Sequence, residues 1–88
     1  MEFQKRIVEK NVHIHYYAVL REESGQSEES VTTTADTPGE LFEDLQGRYG
    51  FSLEPEQMRV VVNAEVRNWD TAIRDGDTVV FLPPVAGG

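Results

Sequence analysis

Thr78-Val79-Val80-Phe81-Leu82-Pro83-Pro84-Val85-Ala86-Gly87-Gly88 are the last residues of the sequence. Every position from Val79 to Leu82 is apolar. A strand wetted on one side alternates; a continuous apolar run marks a strand covered on both faces, typically a central and often a parallel one. Pro83 and Pro84 have no N–H to donate, so the sheet must stop there. They favour polyproline II, which projects the chain off the sheet, and residues 83–88 reach roughly 19–20 Å. Gly87 and Gly88 lack Cβ and can pass through a channel too narrow for other residues. The end reads as one made to be handed to another protein, with the terminal carboxylate of Gly88 as the reacting group.

Working back from that strand, Asp75-Gly76-Asp77 is the turn that starts it. Arg59 to Val62 is a strand, Asn63-Ala64 a tight turn, and Glu65 to Asn68 a short strand. Ile73 plugs the core. Thr37-Pro38-Gly39-Glu40 fits a capping box with Thr37 at the N-cap and Pro38 at N1. The helix then runs to Tyr49, with Leu41, Phe42, Leu45 and Tyr49 as its buried stripe and Gly50 as its left-handed cap. Glu29 to Thr34 reads as a strand rich in β-branched residues. Val12 to Leu20 is the first strand: Val12, Ile14, Tyr16 and Ala18 share one face, and His13, His15, Tyr17 and Val19 the other. Residues 21–27 form a turn with Gly25 as pivot.

The order strand, strand, helix, strands implies an α+β fold. Its simplest packing is a mixed sheet of about five strands with one main helix across one face, and with first and last strands adjacent and parallel. That is the β-grasp, ubiquitin-like layout. The chain divides into an N-terminal extension at 1–11 (polar, without a clear period, a candidate for disorder), a β-grasp domain at 12–82 and an extended tail at 83–88. If the helix covers only one face, half or all of Tyr17, Val19, Val80 and Leu82 lie on the open one, and an apolar patch there means a docking surface.

Bulk composition narrows the function. Eighty-eight residues make one domain with a modest core. A deep enzyme pocket would consume most of it. There is no cysteine, which excludes disulfides, thiolate zinc sites and a thiol nucleophile. The formal charge of −8 makes nucleic acid a poor partner, since phosphate binding needs clustered Lys and Arg. The first residues lack the apolar stretch of a signal peptide, and no apolar run approaches membrane-spanning length. The expectation is a cytoplasmic protein with no membrane and no nucleic-acid partner.

A carboxylate is a poor electrophile. ATP can convert it to an acyl adenylate, whose carbonyl a sulfur nucleophile then attacks. Diglycine suits that step because no side chain shields the carbonyl. Neither GxGxxG nor GxxxxGK[ST] occurs here, so this chain binds no cofactor and the ATP site belongs to another protein.

Three segments carry a resemblance. Tyr16-Tyr17-Ala18-Val19-Leu20-Arg21-Glu22, then Val62-Asn63 with Trp69-Asp70 and Asp75-Gly76-Asp77, and above all Phe81 to Gly88 are similar to the small, sulfur-carrier subunits of molybdopterin synthase, the MoaD type. The likeness spans about Val12 to Gly88. It implies that a MoeB-type enzyme adenylates Gly88, which becomes a thiocarboxylate. It implies that the tail (Pro83, Pro84, Val85, Ala86, Gly87) threads into a MoaE-type large subunit that supplies the catalytic residues. Tyr17, Val66 and Leu82 match positions that face that subunit. On its own the chain is then not an enzyme but a co-substrate. Rivals are a ThiS-type carrier of the thiamine pathway, a ubiquitin-like modifier and an inert interaction module.

Other candidates fare less well. His13 and His15 share a strand face, but with no third ligand nearby in sequence they make a poor metal site, and the expectation is no metal. Glu22-Glu23 and Glu28-Glu29 flank a solvated turn and read as surface. Asp75-Gly76-Asp77 lacks the ligand spacing of a calcium loop. Trp69 reads as packing rather than as an interface anchor.

Overall fold

Five strands, β1 (Lys10–Tyr16), β2 (Glu28–Thr33), β3 (Arg59–Val62), β4 (Glu65–Arg67) and β5 (Thr78–Leu82), form one sheet in the order β2-β1-β5-β3-β4. The structure is a computed structural model that describes residues 7–84. As its apolar run predicts, β5 is central: it pairs in parallel with β1 and antiparallel with β3. The expected cover on both faces is not found, since Val79 and Phe81 are buried while Val80 and Leu82 stay half-buried. The mixed sheet with one main helix is the β-grasp arrangement expected from the sequence.

That helix, α2 (Pro38–Tyr49), starts as its cap dictates. Thr37 Oγ1 accepts from the Glu40 amide at 3.2 Å, and the Glu40 carboxylate reaches back to the Asp36 amide at 2.9 Å. Gly50, at φ 67, ends it in the left-handed region that favours glycine. Leu41, Phe42 and Leu45 are buried with Val12, Ile14, Tyr16, Val60, Val62, Val79 and Phe81 of the sheet. Phe42 lies 5.3 Å from Phe81, and Trp69 stacks on Phe81 at 5.7 Å between ring centres, so Trp69 is packing, as its sequence reading held. Ile73 is buried as expected.

The hairpin between β3 and β4 closes through Asn63 and Ala64, both at positive φ (51 and 71). Such a two-residue loop matches the strand twist. Asn63 also accepts from the Thr78 amide and donates to Asp77, while Asp75 accepts from the Asn11 amide at 2.7 Å. The Asp75-Gly76-Asp77 turn therefore ties the start of β5 to both of its neighbours.

The first strand departs from expectation. β1 ends at Tyr16 rather than Leu20, because pairing runs out there: the ladder to β5 stops at Tyr16–Phe81, and on the other edge the Tyr16 amide donates to the Ser27 carbonyl. A strand whose N–H and C=O groups have no neighbour has no reason to continue. Ala18, at φ 53, redirects the chain, and Val19–Ser24 form a short helix, α1, where a turn was expected. Gly25 caps it at φ 79, and Leu20 becomes fully buried. The strand also begins earlier, at Lys10, whose ammonium reaches Asp36 at 3.2 Å while its stem is covered.

Glu29, read as surface, is a second correction. It lies on the helix side of β2, its side chain 14% exposed. Both Tyr16 and Tyr49 donate their hydroxyls to the same carboxylate oxygen, and Gln26 donates to Tyr49 at 2.8 Å. Burial, and next the Glu29 hydrogen bond, push both phenols above their ordinary range.

Candidate functional site

The face of the sheet away from α2 is made by the other half of each strand. Register places Glu28, His15, Val80, Val61 and Val66 in one row across all five strands. Ser30, His13 and Thr78 form the next row, and Leu82 pairs with Arg59 in the opposite direction. The parity of β5, which the sequence left open, is thereby settled: Val79 and Phe81 face the helix, Val80 and Leu82 the open side.

This face divides in two. Its β3–β4–β5 half carries the apolar Val61, Val66, Val80 and Leu82. Tyr17 and Val66 are 49% and 64% exposed, two of the four large apolar side chains most open to water among the described residues. Of the three sequence-predicted contact residues, Val66 and Leu82 line one groove, and Tyr17 is exposed just beyond the end of β1. Val19 was a fourth candidate, but α1 takes it away to pack against the core. Sequence reasoning missed Val61, which becomes visible only when the Val61–Val66 register is known.

The tail leaves from this apolar half. Pro83 is half-buried and Pro84 exposed. They border a shallow groove of about 600 Å³ lined by Met58, Arg59, Val66, Trp69 and Leu82. The expectations for Val85, Ala86, Gly87 and Gly88 lie outside the described residues. Chemically, the arrangement offers apolar area and a directed exit for the chain.

The β1–β2 half is polar, and here the strand histidines acquire the third donor that their sequence neighbourhood lacks. Glu28 stands directly opposite His15 and diagonal to His13. His13 Nε2 lies 2.7 Å from the Glu28 carboxylate, and Nδ1 lies 3.1 Å from Ser30 Oγ. The two imidazoles meet edge to face at 4.8 Å. Only the β1–β2 pairing reveals this triad.

Comparison with known proteins agrees with the layout. The model of the ThiS family matches residues 14–88. The sulfur carrier protein CysO of Mycobacterium tuberculosis is 34% identical over 93 residues, covering 89% of this chain and 99% of that protein. The molybdopterin synthase sulfur carrier subunit of Escherichia coli is 29% identical over 80 residues, covering 88% and 99%. Among solved structures, the Haloferax volcanii HVO 2177 protein superposes with a TM-score of 0.77 at 25% identity, over 100% of this chain and 94% of that one. A chain in the complex of subunits 1 and 2 of molybdopterin-converting factor from Helicobacter pylori matches with a TM-score of 0.60 at 26% identity, over 89% and 99%. Among the described residues, no helix is long and apolar enough to cross a membrane.

Proposed function

Because this chain belongs to the ThiS family, as a ubiquitin-like sulfur carrier of the ThiS and MoaD type, we propose that it is the small subunit of a molybdopterin synthase. A MoeB-type enzyme is the first partner. There the Gly88 carboxylate attacks the α-phosphorus of ATP, pyrophosphate leaves, and a sulfur nucleophile then attacks the acyl carbon and expels AMP. The product is a thiocarboxylate at Gly88. The second partner is a MoaE-type large subunit, which holds the pterin precursor and the catalytic side chains. Gly87, Ala86 and Val85 thread into it behind Pro83 and Pro84, and sulfur passes to the pterin.

The observation that carries this reading is the junction of β5 with the open face. The central strand, which carries Val80 on its open side, runs out at Leu82 in the groove that Val66 also lines, and Pro83-Pro84 follow at once. A protein docked on that apolar face stands next to the emerging tail. The likeness to one chain of a two-subunit complex from Helicobacter pylori supports the same geometry.

A second reading is favoured by the 34% identity to the sulfur carrier protein CysO, against 29% to the molybdopterin synthase subunit. There the same thiocarboxylate would serve a different acceptor. Thiocarboxylated protein mixed with a MoaE-type subunit and the cyclic pyranopterin precursor separates the two. Formation of a dithiolene-bearing pterin, with return of Gly88 to carboxylate, is the expected result. A thiocarboxylate that persists in the presence of an active large subunit overturns the molybdopterin reading and leaves the second.

A further inference from the structure

We propose that His13, His15 and Glu28 form a binding site for a divalent transition metal of the zinc type, on the polar half of the open sheet face. The site is independent of where the sulfur goes.

The geometry rests on strand register. His13 and His15 are two apart on β1 and project to the same side. Glu28 is the cross-strand partner of His15. One donor atom from each of the three lies within 4.8 Å of the others. Tetrahedral zinc, with ligands at about 2.0–2.1 Å, holds its donors about 3.3 Å apart. The remaining gap is within the reach of side-chain rotation, because His13 and Glu28 are 36% and 55% exposed and not locked by packing. His13 Nε2 and the Glu28 carboxylate already stand 2.7 Å apart, so a metal between them replaces whatever hydrogen bond they make.

The surroundings fit a metal as well. Ser30 stands opposite His13 with its hydroxyl 3.1 Å from Nδ1. With Nδ1–H donating to Ser30, the imidazole presents Nε2 as the free donor, which is how metal-binding histidines are held. Two imidazoles and one carboxylate are the donor set of open zinc sites, with a fourth position left for water or for a donor from a docked protein. The set suits Zn(II) or Cu(II) and not Mg(II), which demands oxygen donors. The chain has no cysteine to compete, and its net charge of −8 draws cations toward it.

The test uses the full chain without an affinity tag. His13 and His15 are the only histidines in the sequence, so imidazole NMR signals report this site directly. Zn(II) titration is expected to move both rings with a one-to-one end point, and Mg(II) to move neither. His15→Ala and Glu28→Gln should each weaken Zn(II) binding by more than 10-fold, and Ser30→Ala by roughly 10-fold through loss of ring orientation. Zn(II) should raise the melting temperature of the parent but not of His15→Ala, while the metal-free midpoints stay together. Ring signals that stay still while calorimetry shows zinc uptake would place the ion elsewhere on the acidic surface and overturn the proposal. Equal affinity in the parent and the double variant His15→Ala/Glu28→Gln would do so too.

Discussion

The two faces of this sheet are built from alternate residues of the same strands, yet they have different work. On the helix side Val12, Ile14, Tyr16, Val79 and Phe81 are at most 1% exposed and share one core with α2. On the other side His13, His15, Val80 and Leu82 are only half-buried, and no described element covers them. β5 is apolar on both sides, which is why its sequence does not alternate. Apolar area on the first face is used up in folding. On the second it remains available for another protein, beside the point where the tail departs.

Adjacent substitutions sharpen that contrast. Phe81→Ala should lose about 3–5 kcal/mol of stability, since a fully buried ring is replaced by a cavity. Leu82→Asp, one residue on, should change the unfolding midpoint far less while abolishing binding to the proposed large subunit. Calorimetry and a binding titration on both variants read the difference; a collapse of Leu82→Asp comparable to Phe81→Ala would break the division between the faces.

The Tyr16–Glu29–Tyr49 cluster marks the deep side of β2 and predicts the next effects. Tyr16→Phe removes one of the two hydroxyls donated to a nearly buried carboxylate and should cost about 1–3 kcal/mol. Folding also raises both phenols above the ordinary tyrosine value of 10.0. Above that pH the unfolded chain gives up phenolic protons that the folded chain keeps, so unfolding is favoured as pH rises. Stability should be flat in this contribution below about pH 10 and fall beyond it. Urea melts of the parent and of Tyr16→Phe/Tyr49→Phe between pH 8 and 11 check this; an equally steep alkaline decline in the double variant would remove the cluster as its cause.

Smaller effects follow at the edges. Thr37→Ala should cost about 1 kcal/mol through the lost cap of α2. Val66→Ser, on the open face, should shift stability by no more than about 0.5 kcal/mol yet weaken partner binding. A Val66→Ser chain that binds the large subunit as the parent does would take Val66 out of the docking surface.

Much of this was legible in the sequence because the signals were local. The capping box at Thr37 placed α2, the apolar run placed β5, and Pro83-Pro84 placed the end of the sheet. The end of β1 was not legible, since Tyr17-Ala18-Val19-Leu20 continues the apolar run of the strand without a break. What stops the strand is the loss of neighbours on both edges, a non-local fact. Helix formers at Leu20 to Glu23 followed by Gly25 were the available sign of α1. Glu29 was misread for a similar reason, while its neighbour Glu28 is on the surface as read. Adjacent residues on a strand face opposite sides, so one joins the tyrosines and the other the histidines, but which does which depends on the β1–β2 register. The expected contact residues Tyr17, Val66 and Leu82 came from family likeness; that Val66 and Leu82 line one groove came from the fold.

The claim at the root of the account is that Gly88 is loaded with sulfur while the globule stays as it is. Intact-mass measurement of the C-terminal peptide, after incubation with ATP, an adenylating enzyme and a sulfur donor, tests it most directly. The account predicts replacement of one oxygen by sulfur at Gly88, lost when Gly88 is deleted even though the melting temperature holds. An unchanged peptide mass in the presence of an enzyme proven active on another carrier would contradict it.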